Sequence, residues 1–393
     1  LDFKLLHPEI QDFIDKNRDA TITKLALQKN PFPKVDWIAI LQQIEAKTKV
    51  KDKLPTWFRA KNILYPSKIS VEQTSSEKTA SYKSQIVSGE SLIDLTGGFG
   101  VDDFYFSKRI NKIAHCEINA DLSAIVQHNF EQLDVRNIQC YTGDSLAILV
   151  ELSAIWDWIY IDPSRRNDAK GKVFMLQDCL PNIPENLGRL FNFSNQILIK
   201  TAPLLDITAG LAELTNVKAI HIVALDNEVK ELLWEIQKGY IEKTTIKTVN
   251  IAKEKQDVFE FVMDENLISP DYGSPQKYLY EPNSAIMKSG GFDEVSIIFK
   301  LKKLHKHSHL YTNSEIIDFP GRIFEIENTL NYNKAEMKNY IEGKKFNITT
   351  RNFPETVENL RKKWKVKEGG NQYCFFTTDE NDNKIVLICK KIK

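Results

Sequence analysis

The sequence predicts an α/β protein built on a doubly wound, mostly parallel sheet of seven strands, with a helical region before it and a small α/β part after it. Three observations carry this. Apolar positions in the first 66 residues recur only at helical spacing, short apolar runs alternate with helical stretches from 91 to 263, and a second, shorter series of both follows a turn-rich segment.

In the first region Ile22, Leu25 and Ala26, then Ile38, Ile40, Leu41 and Ile44, mark helix faces, punctuated by Pro31, Pro33 and Pro55. Residues 70–87 read as a polar loop entering a helix capped by Ser75 or Ser76. SLIDL (91–95), KIAHCE (112–117), IQCYTG (138–143), WIYID (158–162), QILIKT (196–201), AIHIVAL (219–225) and DVFEFVM (257–263) read as strands, the last as an antiparallel edge. DDFYFSKRI, ADLSAIVQHNFEQL and PENLGRLFNF read as helices between them. LISPDYGSPQ (267–276) has the composition of a linker. From Gly321 the order is strand, helix (NKAEMKNYIE), strand (FNITTR), helix (ETVENLRKKW) and two closing strands. The expected organisation is a helical region 1–88, a Rossmann-like domain 89–270, a small α/β unit 277–320 and a last domain 321–393.

Length and composition bound the function. At 393 residues and 42% apolar content the chain can build several cores. No apolar stretch reaches the roughly 18–20 residues needed to cross a bilayer. The opening LDFKLLHPEIQDFIDKNRDA carries acids throughout, so no signal peptide and no membrane are expected. The five cysteines form no CxxC pair; this suits a reducing, cytoplasmic setting and argues against disulfides and a structural metal site. Charge balances at 53 against 53, yet 277–393 holds 21 Lys and Arg against 15 Asp and Glu. A polyanionic partner and an ordinary lysine-rich surface account for that excess equally well.

The strongest local signal is Asp94-Leu95-Thr96-Gly97-Gly98-Phe99-Gly100, directly after an apolar strand. Glycines there let the backbone turn sharply and approach a ligand, and the following helix points amides at it. A structural turn or a dinucleotide site also fits this loop alone. The dinucleotide fingerprint, however, needs a small residue where Asp103 stands, and a carboxylate repels a pyrophosphate. A cationic cofactor without phosphate removes the objection. Glu117 ends the second strand, where an acid accepts ribose hydroxyls; Asp144 follows the third and Asp162 ends the fourth. All sit on the strand edge where open α/β sheets bind ligands.

The ordered set Asp94…Gly100, Glu117, Asp144 and Asp162-Pro163 resembles the class I S-adenosylmethionine-dependent methyltransferases over about 91–265. The resemblance implies S-adenosyl-L-methionine as cofactor. Asp94, Thr96, Gly97, Gly98, Phe99 and Gly100 would hold its methionine part, Glu117 with Ile118 the ribose, and Asp144 with Ser145 the adenine. Asp162 would also border the cofactor, and with Pro163 and Arg165 would face the methyl acceptor. VEQTSSEKTASYK, DNEVKELLW, YLYEPNSAIMKSGGF and GRIFEI…LRKKWKVKEGGNQYCFFTT further resemble bacterial methyltransferases with a C-terminal THUMP-like domain, which implies a ferredoxin-like unit at 277–320 and an RNA substrate, rRNA or tRNA. Amine-directed relatives show an aromatic residue after Asp-Pro-Pro; here Asp162-Pro163-Ser164-Arg165 puts an arginine in its place. Arg165 and Arg166 are two of ten arginines against 43 lysines and suit phosphate recognition. Arg361, Lys362 and Lys363 head the densest basic run and are a second candidate RNA contact. Lys200 could line the acceptor site, though a snorkelling lysine is the safer reading, and His115 reads as structural. Two readings compete with an RNA methyltransferase: an RNA-binding protein that has lost activity, and methylation of DNA or protein. An NAD-dependent oxidoreductase is disfavoured by Asp103 and by the lack of a catalytic His or Tyr-Lys pair.

Overall fold

The computed structural model describes residues 3–66, 68–165, 175–253, 255–263 and 269–393. The chain forms two units, Leu1–Lys218 with Leu232–Glu242, and Ala219–Glu231 with Lys243–Lys393. Arg166 and the first two residues of the expected 267–276 linker lie outside the described residues.

The first unit opens with helices α1 (Pro8–Lys16), α2 (Ile22–Ala26), α3 (Trp37–Val50), α4 (Pro55–Arg59), α5 (Lys68–Gln73) and α6 (Glu77–Ser84). Ser76 caps α6 by accepting from the Thr79 amide at 3.2 Å. The alternating part follows as β1 (Ser91–Asp94), α7 (Val101–Phe106), β2 (Lys112–Glu117), α8 (Ala120–Gln132), β3 (Ile138–Thr142), α9 (Ser145–Leu152) and β4 (Trp158–Ile161). A ribbon of β5 (Ser164–Arg165) and β6 (Cys179–Leu180) leads to α10 (Ile183–Leu190), β7 (Gln196–Thr201) and α11 (Ile207–Glu213). Then come β8 (Val217–Leu225) and β9 (Glu228–Gln237). In this unit the strands run β9–β7–β4–β1–β2–β3, all parallel except β9. Ile159, Ile161 and Ile197 to Ile199 are fully buried, which is why these strands read as continuous apolar runs. The order reverses at β1 and β4, so their carboxyl ends open a crevice.

The N-terminal helices pack into the alternating part. Trp57 lies 4.8 Å from the Phe104 ring of α7, and Phe99 lies 6.3 Å from both Trp57 and Tyr65. These residues share one buried cluster with Ile40, Ile44, Val126 and Phe130.

The second unit carries β10 (Thr245–Ile251) and β11 (Gln256–Val262), in the order β11–β10–β8–β9. β10 runs parallel to β8, and β11 is antiparallel to β10 at the edge. β9 thus gives Leu232–Gln237 to the first unit and its earlier residues to the second. With β9 and β10 the described residues give this sheet nine strands where seven were expected. EVKELLWEIQ is written in good helix formers, but Leu232, Leu233, Trp234 and Ile236 are fully buried against the sheet. Burial and pairing override local preference here.

The rest of this unit is β12 (Tyr278–Pro282), α12 (Ser284–Ser289), α13 (Phe292–Phe299), β13 (Lys302–Lys303), β14 (Tyr311–Asn313), β15 (Gly321–Asn331), α14 (Lys334–Tyr340), β16 (Lys345–Thr350), α15 (Val357–Trp364), β17 (Lys367–Thr378) and β18 (Lys384–Lys391). Residues 278–320 and 321–391 share one seven-stranded sheet, β13–β14–β12–β15–β18–β17–β16. Phe375, Ile385 and Leu387 face one core, and Phe376, Val386 and Ile388 the other, so both faces are covered. Glu281 on β12 is buried between Arg322 on β15, whose Nε donates at 2.6 Å, and Arg351, whose Nη2 donates at 2.9 Å. Glu281→Ala strands both guanidiniums. Since these are part exposed, the expected cost is at the low end of the roughly 3–5 kcal/mol for breaking a buried ion pair. A lower urea midpoint at unchanged slope for the full chain is the measurement, and an unchanged midpoint would contradict it.

Candidate active site

At the carboxyl ends of β1, β2, β3 and β4 lies a cavity of about 610 Å³. That is within the usual range for small-molecule sites. The residues it gathers include Asp94, Thr96, Gly97, Gly98, Phe99, Glu117, Ile118, Asp144, Ser145 and Asp162.

The loop between β1 and α7 is folded by its own side chains. Asp94, 1% exposed, accepts from the Thr96 amide at 2.7 Å and its hydroxyl at 3.1 Å. The Thr96 oxygen in turn accepts from the Asp162 amide at 2.6 Å, tying the tips of β1 and β4 together. Gly98 (φ +55°) and Gly100 (φ +73°) occupy left-handed backbone. A methyl at Gly97 would fall inside the His115 ring, so only glycine lets the loop lie on that imidazole. The His115 Nδ1 shares a proton with Asp103 at 2.6 Å, both side chains being fully buried. Burial, reinforced by Asp102, pushes the Asp103 carboxyl well above its usual range. Burial lowers His115 against the opposing pull of Asp94 and Glu117. Burial and then Asp103 likewise push Asp94 well up.

Glu117 has one oxygen on the Gly98 amide at 3.1 Å and the other on the Asn119 amide at 2.8 Å. A carboxylate offers about four acceptor positions, so two remain for a diol. Ile118 beside it is 75% exposed, an apolar face on the cavity wall. Asp144 caps α9 through the Ala147 amide at 2.8 Å and keeps its second oxygen. Asp162, 37% exposed, is paired with Lys200 on β7, which is only 13% exposed. Lys200 is thus an ion-pair partner rather than a snorkelling side chain.

Three expected residues stand differently. Gly100 does not line the cavity; its Cα packs against α8, where an added methyl would meet Phe130 at 2.6 Å. The Phe99 ring is turned into the helical core. Pro163 is buried and outside the lining, while Ser164 is in it. Asp103 turns from the cavity to His115, and Asp102 beside it faces in. Sequence reasoning had not assigned Asp102, Tyr160 or Ser75, nor the wall formed by Leu180, Asn182, Glu185 and Asn186 at the start of α10. A signal for the last was the Asn182 cap and its Glu185, a helix start aimed at the strand ends.

The donor set fits a cationic nucleoside: six acids, a glycine cradle, an apolar face and a volume of small-molecule size. Among the described residues, no group of three His, Cys, Asp or Glu could hold a metal ion, and no helix is long and apolar enough to cross a membrane.

In the second unit the basic run is largely paired: Lys362 with Glu358 at 2.9 Å, Lys363 with Glu355 at 3.0 Å, and Arg361 with Glu368 at 3.8 Å. A hollow of about 460 Å³ adjoins it, lined by Tyr332, Lys334, Lys338, Lys363 and Trp364 among others.

Residues 278–320 match a family described as a ferredoxin-like domain, and 321–391 one described as THUMP domain-like. A search of curated proteins finds no match. Among solved structures, a protein of Porphyromonas gingivalis W83, provisionally named a methyltransferase, is 30% identical at TM-score 0.90, over 99% of this chain and 98% of that one. An rRNA methylase from Streptococcus thermophilus is 11% identical at TM-score 0.30, over 41% of this chain and 94% of its own. A provisionally named methyltransferase from Streptococcus mutans, in complex with SAH, is 16% identical at TM-score 0.25, over 32% and 70%. With a relative so alike along its whole length, and an acid-rimmed glycine loop of this form, the chain belongs to the S-adenosylmethionine-dependent methyltransferases that carry a C-terminal THUMP-like domain.

Proposed function

We propose that this enzyme methylates RNA, with rRNA or tRNA the substrate class, and that the 610 Å³ cavity is where transfer occurs. The observation that carries the site is the convergence of Asp94, Glu117, Asp144 and Asp162 on one cavity at the switch point of the sheet. The cofactor supplies an electrophilic methyl carbon on a sulfonium, so what remains for the protein is alignment.

Glu117 accepts from the ribose hydroxyls with its two remaining positions, and Asp144 accepts from the adenine amine with its second oxygen. Ile118 covers the adenine side. Asp162 orients the acceptor. Lys200 pairs with one oxygen of Asp162 and so fixes which oxygen is left to accept. A base within structured RNA would have to be flipped out to reach this depth. Arg165, on β5 beside Asp162, is the residue proposed to meet the acceptor's base or phosphate, with Arg166 after it.

RNA is favoured by the THUMP-like match and by the basic excess of 277–393. The hollow at Tyr332, Lys334, Lys338 and Lys363 is the proposed contact in the second unit. Replacing Lys334 and Lys338 together by Ala should weaken RNA binding and flatten its salt dependence by roughly 0.7 log unit per lost phosphate contact. Filter binding across a salt series checks this, and an unchanged slope would remove the hollow from the RNA path. The decisive test of substrate is mass spectrometry of nucleosides from total RNA of a deletion strain and its parent. One methylated nucleoside should vanish on deletion; identical profiles would count against RNA as acceptor.

A further inference from the structure

Asp102 and Asp103 are adjacent in the first turn of α7, about 100° apart around the helix axis, and they go opposite ways. Asp103 turns to His115, whereas Asp102 borders the cavity with Ser75, Asp94 and Tyr160. Three separate segments hold Asp102. Its Oδ1 is 3.0 Å from the Lys83 ammonium. Its Oδ2 accepts from the Ser75 hydroxyl at 3.0 Å and from the Tyr160 hydroxyl at 2.8 Å. Lys83 also donates to the Ser75 oxygen at 2.7 Å.

Lys83 is fully buried and Asp102 is 12% exposed. Burying an ammonium costs several kcal/mol unless it is well paired, so a helix that needed only packing would carry an apolar residue there. What this arrangement achieves is a carboxylate with fixed orientation at a cavity wall. Asp94 is differently placed: it is almost fully buried, and the oxygen that takes the Thr96 amide and hydroxyl is committed to folding the loop.

We propose that Asp102, positioned by Lys83, Ser75 and Tyr160, is the residue that receives the α-ammonium of the cofactor's methionine moiety, and that Asp94 acts only by shaping the loop. Protonation supports the division. Burial raises all three neighbouring acids, but Lys83, Lys200 and the hydrogen bonds from Lys83 and Tyr160 hold Asp102 below its usual range, whereas Asp94 and Asp103 stay well above theirs. Asp102 is the one of the three whose surroundings favour the charged form. A cationic amine next to it gains a charge-assisted contact that a neutral acid cannot supply.

This rests on S-adenosylmethionine being the cofactor, and two probes separate the two ideas. Calorimetry is run on the full chain with S-adenosylhomocysteine and with its analogue lacking only the α-amino group. The wild type should prefer the former by roughly 10- to 100-fold, as expected for one hydrogen-bonded charge. Asp102→Asn should bind the two alike, with affinity for the deaminated analogue unchanged; that second value also reports an intact site. Tyr160→Phe, which removes one hydrogen bond and leaves the charge, should lose a few-fold of the preference. Asp94→Asn should weaken both probes equally. A full wild-type preference in Asp102→Asn overturns the proposal. So does loss of the preference in Asp94→Asn alone. If Asp102→Asn binds neither probe, Tyr160→Phe decides, and an undiminished preference there counts against the role. Failure of the wild type to bind either compound overturns the cofactor reading itself, and this proposal with it.

Discussion

Asp162→Ala should lose on the order of 100-fold or more in methyl transfer to RNA from a deletion strain, while binding S-adenosylhomocysteine as the wild type does. The split follows from where Asp162 sits. Its amide donates to Thr96 and so belongs to the loop, but that bond survives truncation of the side chain. Its carboxylate faces the open part of the cavity and is held by Lys200. Removing it leaves the glycine loop, Glu117 and Asp144 in place but deprives the acceptor of its orienting group. It also leaves the Lys200 cation where the nucleophile should dock, in place of an acceptor. Transfer of labelled methyl groups and calorimetry on the same preparations read the two effects separately. Normal turnover would remove Asp162 from catalysis, and lost binding would make it part of the cofactor site instead.

Gly97→Ala should abolish measurable cofactor binding and destabilise the first unit by about 1–3 kcal/mol, the usual cost of forcing a methyl into a packed core. The reason is local. The Gly97 amide donates to the Cys116 carbonyl at 2.9 Å, which presses the loop onto β2, and the His115 ring fills the space where a Cβ would go. That ring cannot swing aside cheaply, because Asp103 holds its Nδ1 and both groups are sealed from solvent. The loop must therefore lift, and lifting it breaks the Gly98–Glu117 contact that orients the ribose acid. Thermal unfolding and calorimetry together check this. Wild-type affinity in Gly97→Ala would show that the loop has slack which the packing denies.

The parts of the site that could be read from the sequence are those whose chemistry is local. A glycine run after an apolar strand has one conformational use, and acids at the ends of successive strands fall on one rim because strand ends do. Ile118 follows from Glu117 for the same reason. The network around Asp102 was not legible, because Ser75, Lys83, Asp102 and Tyr160 are each unremarkable in their own segments. Lys83 looks like any helix lysine until α6 proves to be packed on several sides, with Thr79, Ala80, Tyr82 and Ser84 all buried. The small residues of TASYKS were the available hint that something approaches this helix closely. Lys200 stayed open between snorkelling and the acceptor site because a lysine in a buried strand can reach water as easily as a carboxylate, and only β4 beside it decides. One of the two extra strands was missed for another reason: the ten residues of β9 are spelled like a helix, and no local rule announces a neighbour that forces them straight.

Phe99 has a consequence beyond the pocket. Its backbone belongs to the ligand loop, yet its ring is driven into the cluster built by Trp57, Tyr65 and the helices that precede the sheet. The leading region is therefore a buttress rather than an appendage. Loosening it anywhere along its inner surface would be felt as weakened grip on the bound molecule, and a bound nucleoside would return the favour by slowing the opening of the buttress.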